Sequence, residues 1–69
     1  MDTKKTGAYL AALRKARGMT QQEAADQLGV SNKTVSKWEN GAGLPDITVL
    51  PALAELYGVT ADDILAGET

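Results

Sequence analysis

The chain has 69 residues and a formal net charge of −2, from seven basic and nine acidic side chains. It contains no cysteine and no histidine, which excludes disulfides and thiolate metal sites and removes the commonest general base and metal ligand. No apolar run approaches the roughly 18 residues of a membrane span, and no segment resembles a signal peptide. We therefore expect one small domain over residues 1–69, in the cytoplasm, with no metal, no cofactor and no membrane contact.

Charge is distributed unevenly along the chain. Residues 1–43 contain all seven basic and four acidic residues, a net charge of +3, whereas residues 44–69 contain five acidic residues and no basic one, a net charge of −5. Because the local field, rather than the net charge, steers a polyanion to a surface, the basic half is suited to approach nucleic acid. A split of this size is not rare by chance, so alone it is weak evidence.

The first predicted helix runs from about Lys4 to Arg17, a stretch rich in strong helix formers. Thr3 or Thr6 is expected to cap its N-terminus, and Gly18 is expected to end it.

Two short helices follow, separated by one glycine. Thr20 and Glu23 have the spacing of a capping box at the start of the second helix. Gly29 fits the left-handed position at its end, and Ser31 is the expected N-cap of the third helix. The predicted ranges are about Gln21–Leu28 and Asn32–Asn40. Two helices joined in this way form a helix-turn-helix, over about residues 20–40, and the second helix of such a motif can lie in the major groove of DNA.

Two more helices are predicted, over about Val49–Tyr57 and Ala61–Leu65. If Thr48 is the N-cap of the fourth helix, Pro51 falls at the third helical position, where a missing N–H removes no intrahelical bond. Thr60 and Asp63 repeat the capping-box spacing at the start of the fifth helix.

Apolar residues at helical spacing form the expected core. They are Leu10, Leu13, Ala24, Ala25, Leu28, Val30, Val35, Trp38, Leu44, Ile47, Leu50, Leu53, Ala54, Leu56, Val59, Ile64 and Leu65.

A family resemblance extends over the chain from about Tyr9 to Leu65. It rests on Thr20-Gln21, Glu23, Ala25, Leu28-Gly29-Val30-Ser31, Val35-Ser36-Lys37-Trp38-Glu39-Asn40-Gly41, Leu44-Pro45-Asp46-Ile47, Leu53-Ala54, Tyr57-Gly58-Val59-Thr60 and Asp63-Ile64-Leu65. In these residues the chain resembles the phage-repressor and Cro-like helix-turn-helix family, also called XRE-type regulators.

The resemblance implies an all-α, five-helix, λ-repressor-like DNA-binding domain. Its expected function is sequence-specific regulation of transcription, as a repressor that binds a palindrome in double-stranded DNA as a weak homodimer. The expected dimer contact lies around Leu44–Ile47 and near Ile64-Leu65, away from the basic face. The expected location is the bacterial cytoplasm, of host or phage origin, at the nucleoid.

The exposed face of the third helix holds the residues expected to read bases. The N-terminal residues of a recognition helix contact base edges; here these are Asn32, Lys33 and Ser36, with Lys37 one turn further along. Asparagine can pair with adenine N6/N7 and lysine can donate to guanine O6/N7, and the resemblance implies base contacts from the same four residues. For an isolated helix, a solvated polar face would be the better interpretation.

The resemblance also implies phosphate contacts from Gln21, Thr34, Asn40 and Gly41. Gln21 opens the second helix, whose N-terminal dipole favours phosphate, and the family residue at this position also braces the recognition helix. At Asn40 and Gly41 the backbone N–H is expected to matter more than the side chain. Many relatives have a basic residue directly after this glycine; here it is Ala42, so one phosphate contact is expected to be missing.

Three residues are expected to stabilise the fold rather than to contact DNA. The resemblance implies a partly buried ion pair between Arg14 in the first helix and Glu39 at the end of the third. Trp38 is expected to pack in the core rather than to contact DNA.

Two other functions fit the sequence less well. A protein-interaction module, such as an antitoxin or anti-regulator, would use the acidic C-terminal half to bind a partner such as a small basic toxin or a regulator. An enzyme is disfavoured, because the chain has no histidine, no cysteine, no paired carboxylates in a plausible cleft and no phosphate-binding glycine loop, and no catalytic residue is expected. The chain is either a complete Cro-like protein or the DNA-binding part of a longer one.

Overall fold

The computed structural model describes residues 2–69, which form five α-helices and no β-strand. The helices are α1 (Thr3–Ala16), α2 (Gln21–Leu28), α3 (Asn32–Glu39), α4 (Leu50–Tyr57) and α5 (Ala61–Ala66). The prediction of an all-α fold with five helices is confirmed, and every helix begins and ends within one residue of its predicted position. Within residues 2–69 none of the helices combines the length and the apolar character needed to cross a bilayer.

Three of the predicted caps are confirmed. Thr20 Oγ1 accepts from the N–H of Glu23 at 3.1 Å, and Glu23 Oε1 accepts from the N–H of Thr20 at 2.9 Å. The same reciprocal pair joins Thr60 and Asp63 at the start of α5, and the side-chain oxygen of Ser31 caps α3. Each of these bonds satisfies an N–H that the helix itself leaves without a partner, so the starts of α2, α3 and α5 are fixed by local sequence.

The predicted cap of α1 is wrong. The N-cap is Asp2 rather than Thr3 or Thr6, and its carboxylate accepts from two N–H groups of the first turn at 3.0 and 3.1 Å. A carboxylate adds favourable charge at the positive end of the helix. Thr6 is instead fully buried, and its hydroxyl donates to the carbonyl of Ile64 in α5 at 3.0 Å.

The predicted cap of α4 is also wrong. Thr48 donates its N–H to Asp46 Oδ1 at 2.6 Å and its hydroxyl to the same carboxylate, so the threonine belongs to the turn before the helix. These bonds from Thr48 hold the pKa of Asp46 below its usual value. Without a side-chain cap α4 begins at Leu50, and Pro51 occupies its second position, where a missing N–H still does no harm.

The core receives side chains from every helix. Its buried apolar residues are Leu10, Ala24, Ala25, Val35, Trp38, Leu53, Tyr57 and Ile64. Most of the other expected core residues are partly buried and pack against this set. The two alanines have no exposed surface, so α2 and α3 can cross with their backbones close together.

Two residues expected in the core lie on the surface instead. Leu44 is 41% exposed and Ile47 is 81% exposed. Both lie between α3 and α4, where no helical period places apolar residues on one face, and Pro45 is the buried residue of this segment. Tyr57, which the prediction omitted, is buried, and burial raises the pKa of its hydroxyl.

Gly7 lies directly against the C-terminal end of α3. A Cβ atom on this residue would lie 2.3 Å from the carbonyl oxygen of Trp38 and 3.0 Å from that of Glu39. Both oxygens belong to the backbone at the end of α3, so no side-chain rotation could relieve the clash. A hydrogen atom at residue 7 is therefore what lets α1 rest directly on the C-terminal end of α3.

Gly7→Ala should destabilise the protein, although alanine is the better helix former by about 1 kcal/mol. The clash with α3 backbone should outweigh that gain, with a net loss of about 1–3 kcal/mol, the usual range for overpacking. The measurement is urea unfolding followed by circular dichroism. Gly43→Ala is the matched control, since its Cβ would meet nothing within 4 Å and its backbone needs no left-handed conformation. Equal stability of Gly7→Ala and the parent chain would show that α1 does not rest on α3 in this way.

Candidate nucleic-acid interface

One face of α3 is polar and exposed, and the other is fixed in the core. Val35 and Trp38 are 1% and 6% exposed, which places the indole in the core as expected. Asn32, Lys33 and Lys37 are exposed, and Ser36 is half-buried. The four candidate base-reading residues therefore occupy one outward face.

The turn before α3 sets the angle at which that face is presented. Gly29 ends α2 with φ +71°, a left-handed conformation that glycine adopts without strain. The N–H of Val30 then returns to the carbonyl of Ala25 at 3.0 Å. This closure, together with the small residues at the α2–α3 crossing, holds the two helices as a helix-turn-helix.

A buried carboxylate links α3 to the two preceding helices. Glu39 accepts two bonds from the guanidinium of Arg14, at 2.8 and 2.9 Å, and a third from the side-chain amide of Gln21 at 3.1 Å. The Arg14 and Glu39 side chains are only 11% and 5% exposed. Arg14 also donates to the carbonyl of Met19 at 2.8 Å. The structure thus brings together the two residues of the implied ion pair and adds Gln21 to them.

The protonation equilibria of the pair follow from this geometry. Burial alone would raise the pKa of Glu39, but the hydrogen bonds from Arg14 and Gln21 outweigh it and hold the pKa below its usual value. The bond to Glu39 likewise raises the pKa of Arg14. Both groups are charged at neutral pH, so the only acidic residue of α3 is neutralised and the exposed face keeps the charges of Lys33 and Lys37.

The side chains of three candidate phosphate contacts already form hydrogen bonds within the protein. Gln21 uses one amide hydrogen on Glu39, and the second remains. The hydroxyl of Thr34 shares a hydrogen bond with Ser31 at 2.9 Å, and the amide of Asn40 donates to Ser36 Oγ at 3.3 Å. All three side chains keep capacity for one further bond.

The backbone donors expected at the end of α3 are already used. The N–H of Asn40 donates to the carbonyl of Ser36 at 2.9 Å, and the N–H of Gly41 donates to that of Trp38 at 3.1 Å. These N–H groups satisfy the last carbonyls of α3, so a phosphate bound beside Asn40 or Gly41 would have to share their hydrogens with those carbonyls.

The described residues offer no arrangement for metal chemistry. Among residues 2–69 no three acidic side chains lie close enough together to hold a metal ion.

Comparison with known proteins identifies the family. A family model described as helix-turn-helix matches residues 10–64, and the chain belongs to this family, the XRE-type DNA-binding transcription regulators. Over 59 residues the chain is 41% identical to the HTH-type transcriptional activator BcrR of Enterococcus faecalis, a match that covers 86% of this chain and 29% of BcrR.

Two solved structures have the same fold. The DNA-binding domain of the P22 C2 repressor is 31% identical, with a TM-score of 0.82 and coverage of 94% of this chain and 86% of that one. The restriction-modification controller protein C.AhdI of Aeromonas hydrophila is 25% identical, with a TM-score of 0.82 and coverage of 91% and 96%. The chain spans between 29% and 56% of the length of the first three curated relatives that it matches.

The hydrogen-bonded group of Arg14, Gln21 and Glu39, called here the Glu39 network, should make the free energy of unfolding fall at acid pH. The pKa of Glu39 is lower in the folded protein than its reference value of 4.5. Its stabilising contribution is therefore complete above about pH 4.5 and is lost as the pH falls through the folded-state pKa. Glu39→Gln should cost about 3–5 kcal/mol at pH 7, because Arg14 stays buried without its counter-charge.

The measurement is the free energy of unfolding of the parent chain and Glu39→Gln from pH 7 to pH 3. The difference in free energy of unfolding between the two proteins should become smaller below pH 4.5. Asp46 is present in both proteins, so its titration does not contribute to this difference. Glu55→Gln removes an exposed carboxylate and should change stability by less than about 0.5 kcal/mol. A difference that stays constant with pH would contradict the role assigned to Glu39.

Proposed function

We propose that the chain binds specific sequences in duplex DNA, with α3 in the major groove, and thereby regulates transcription. The observation that carries this proposal is the outward face of α3, on which polar and basic side chains are exposed while the opposite face is fixed in the core. The Glu39 network supports it, because it holds the far end of α3 against α1 and α2. A helix held at a fixed angle loses little conformational freedom when it binds, which favours affinity.

Within this proposal Asn32, Lys33, Ser36 and Lys37 read base edges. Asn32 is suited to adenine N6/N7, and the two lysines to guanine O6/N7. Lys33 and Lys37 form no ion pair with any residue among 2–69, so neither must give up a protein partner to reach DNA.

The proposed phosphate contacts are Gln21, Thr34, Asn40 and Gly41. Contacts of this kind fix the register of the protein on the duplex but do not distinguish bases. Gln21 has a double role in this scheme, because the same amide group that braces Glu39 lies at the N-terminus of α2, where the helix dipole favours phosphate.

Asn32→Ala and Lys33→Ala should each relax preference at one base position, at a cost of about 1–3 kcal/mol against the preferred base. Gln21→Ala should instead weaken binding to all sequences alike. The measurement is selection of bound sites from a random duplex library, followed by affinities for single-base variants of the selected site. An even loss of affinity across all variants for Asn32→Ala would contradict its assignment as a base reader.

We further propose that two copies bind a palindrome. One α3 offers only four candidate base contacts, and a second copy would double them. Leu44 and Ile47, the large apolar side chains exposed in the described part of the chain, are the proposed dimer contact. Near the C-terminal end, Ile64 has no exposed surface, so any contribution there would come from the half-buried Leu65. Two side chains per copy bury far less than the roughly 1,200 Å² of a stable interface, so the dimer should be weak without DNA.

Footprinting should show two half-sites with centres about 34 Å apart, one turn of the duplex. Ile47→Glu should reduce cooperative occupation of the two half-sites and leave base preference within each half-site unchanged, because residue 47 lies outside α3. Ile47→Val, which keeps an apolar surface, is the control. Protection of one half-site by one chain at saturation would refute the dimer.

Repression is the mode that we propose, since a protein bound within a promoter blocks it by occupancy alone. The proteins similar to this chain include both a transcriptional activator, BcrR, and the P22 C2 repressor. A reporter with the selected site inside its promoter tests the sign of regulation directly. The proposed place of action is the bacterial cytoplasm, on the nucleoid.

A second binding function is compatible with the same exposed residues. Ile47 is 81% exposed and lies at the start of a segment with a net charge of −5, a combination that suits a basic protein partner such as a toxin or regulator. Copurification with a small basic protein, lost in Ile47→Glu but retained in Ile47→Val, would support this alternative.

A further inference from the structure

We propose that Lys4, in the first turn of α1, contacts the DNA phosphate at the C-terminal end of α3. This contact would place a cation at the end of α3, where the chain itself has Ala42. The proposal rests on the DNA-binding function proposed above and adds to it a residue outside the helix-turn-helix.

The packing of α1 on α3 carries Lys4 to that place. Gly7 lies on the carbonyls of Trp38 and Glu39, and Lys4 precedes it by three positions, which is one turn along the same face of the helix. A Cβ atom on Gly41 would lie 2.9 Å from Cγ and 3.1 Å from Cα of Lys4. The lysine stem therefore lies directly against the glycine, and its ammonium extends three bonds beyond that contact.

Other donors at this end of α3 are nearly exhausted. The N–H groups of Asn40, Gly41 and Ala42 donate to the carbonyls of α3, the last of them to Lys37 at 2.9 Å. The side-chain amide of Asn40 already donates to Ser36. Apart from the second amide hydrogen of Asn40, a phosphate beside Gly41 would meet no free donor of α3 and would face the negative end of the helix dipole, so a cation from elsewhere would be favourable there.

Lys4 can supply that charge without breaking an existing contact. It is exposed, and the ion pairs within residues 2–69 are Lys5–Glu68 and Arg14–Glu39, so its ammonium has no carboxylate partner there. An ammonium group has three donors and acts on phosphate as a compact point charge.

The neighbouring lysine provides a matched control. Lys5 occupies the same first turn and is also exposed, but its stem lies against Gly67 and its ammonium is 3.1 Å from Glu68. Lys4→Met and Lys5→Met each remove one positive charge and keep a stem of similar shape. A difference between them in DNA binding thus reports position rather than net charge.

The experiment measures the affinity of each variant for the selected duplex from about 50 to about 200 mM salt. The parent chain should show a slope of log K against log salt near −5, corresponding to about six neutralised phosphates. Lys4→Met should reduce the slope by about 0.9 per bound chain, with base preference unchanged, whereas Lys5→Met should keep the parental slope. When Ala42→Lys is added to Lys4→Met, the slope of log K against log salt should return to the parental value.

Each outcome decides between distinct possibilities. No salt-dependent binding by the parent chain would overturn the proposed function and the Lys4 contact together. Parental binding with equal slopes for Lys4→Met and Lys5→Met would overturn the Lys4 contact alone. Lower thermal stability of Lys4→Met, with its slope unchanged, would show that Lys4 acts only on the dipole of α3.

Discussion

The buried carboxylate of Glu39 is the constraint on which the position of α3 depends. A charge that is 95% removed from solvent is tolerable only when it is paired and fully hydrogen-bonded, and three donors meet this need at once: two from Arg14 in α1 and one from Gln21 in α2. Directional bonds of this kind hold the end of α3 at one place, which apolar contacts alone would specify less sharply. The outward direction of the polar face of α3 follows from that placement.

The same network explains how an acidic chain can present a basic surface. The net charge is −2, yet the one carboxylate on α3 is turned inward and neutralised. Charge over the exposed face of α3 is thus set by Lys33 and Lys37, while most acidic residues lie in the second half of the sequence. Local arrangement decides which sign a polyanion meets, whereas the total charge describes the behaviour of the whole molecule in solution.

The predictable part of this fold is the part determined by neighbours in sequence. Thr20, Ser31 and Thr60 each cap a helix through bonds to residues at most three positions away, so the pattern alone locates the start of α2, α3 and α5. For α1 the prediction named only Thr3 and Thr6, although aspartate is at least as good an N-cap as threonine and the charge of Asp2 favours it there. The position of α4 was predicted to within one residue, although the reason given for it, a Thr48 cap, was wrong.

The features that the sequence did not predict depend mainly on contacts between residues far apart in the chain. Leu44 and Ile47 have the composition of core residues, but a segment without helical period gives no indication of which side chain turns inward. Gly7 carried a signal that was overlooked, since a glycine among strong helix formers costs stability and therefore indicates a packing requirement. The site was anticipated through family resemblance at Arg14, Glu39 and Gln21. The approach of Lys4 to Gly41 was not, because it depends on how α1 crosses α3.

The bond from Thr6 to Ile64 has a consequence for the order in which this surface is assembled. Its partners are 58 positions apart, so forming it closes a loop of nearly the whole chain, whereas the α2–α3 turn closes within a few residues. A chain emerging from the ribosome can complete the helix-turn-helix early. Until residue 64 has emerged, however, the Thr6 hydroxyl lacks its acceptor in α5. The bonds of Arg14 and Gln21 to Glu39, all within the first 39 residues, can therefore place α3 before the contact between α1 and α5 is made.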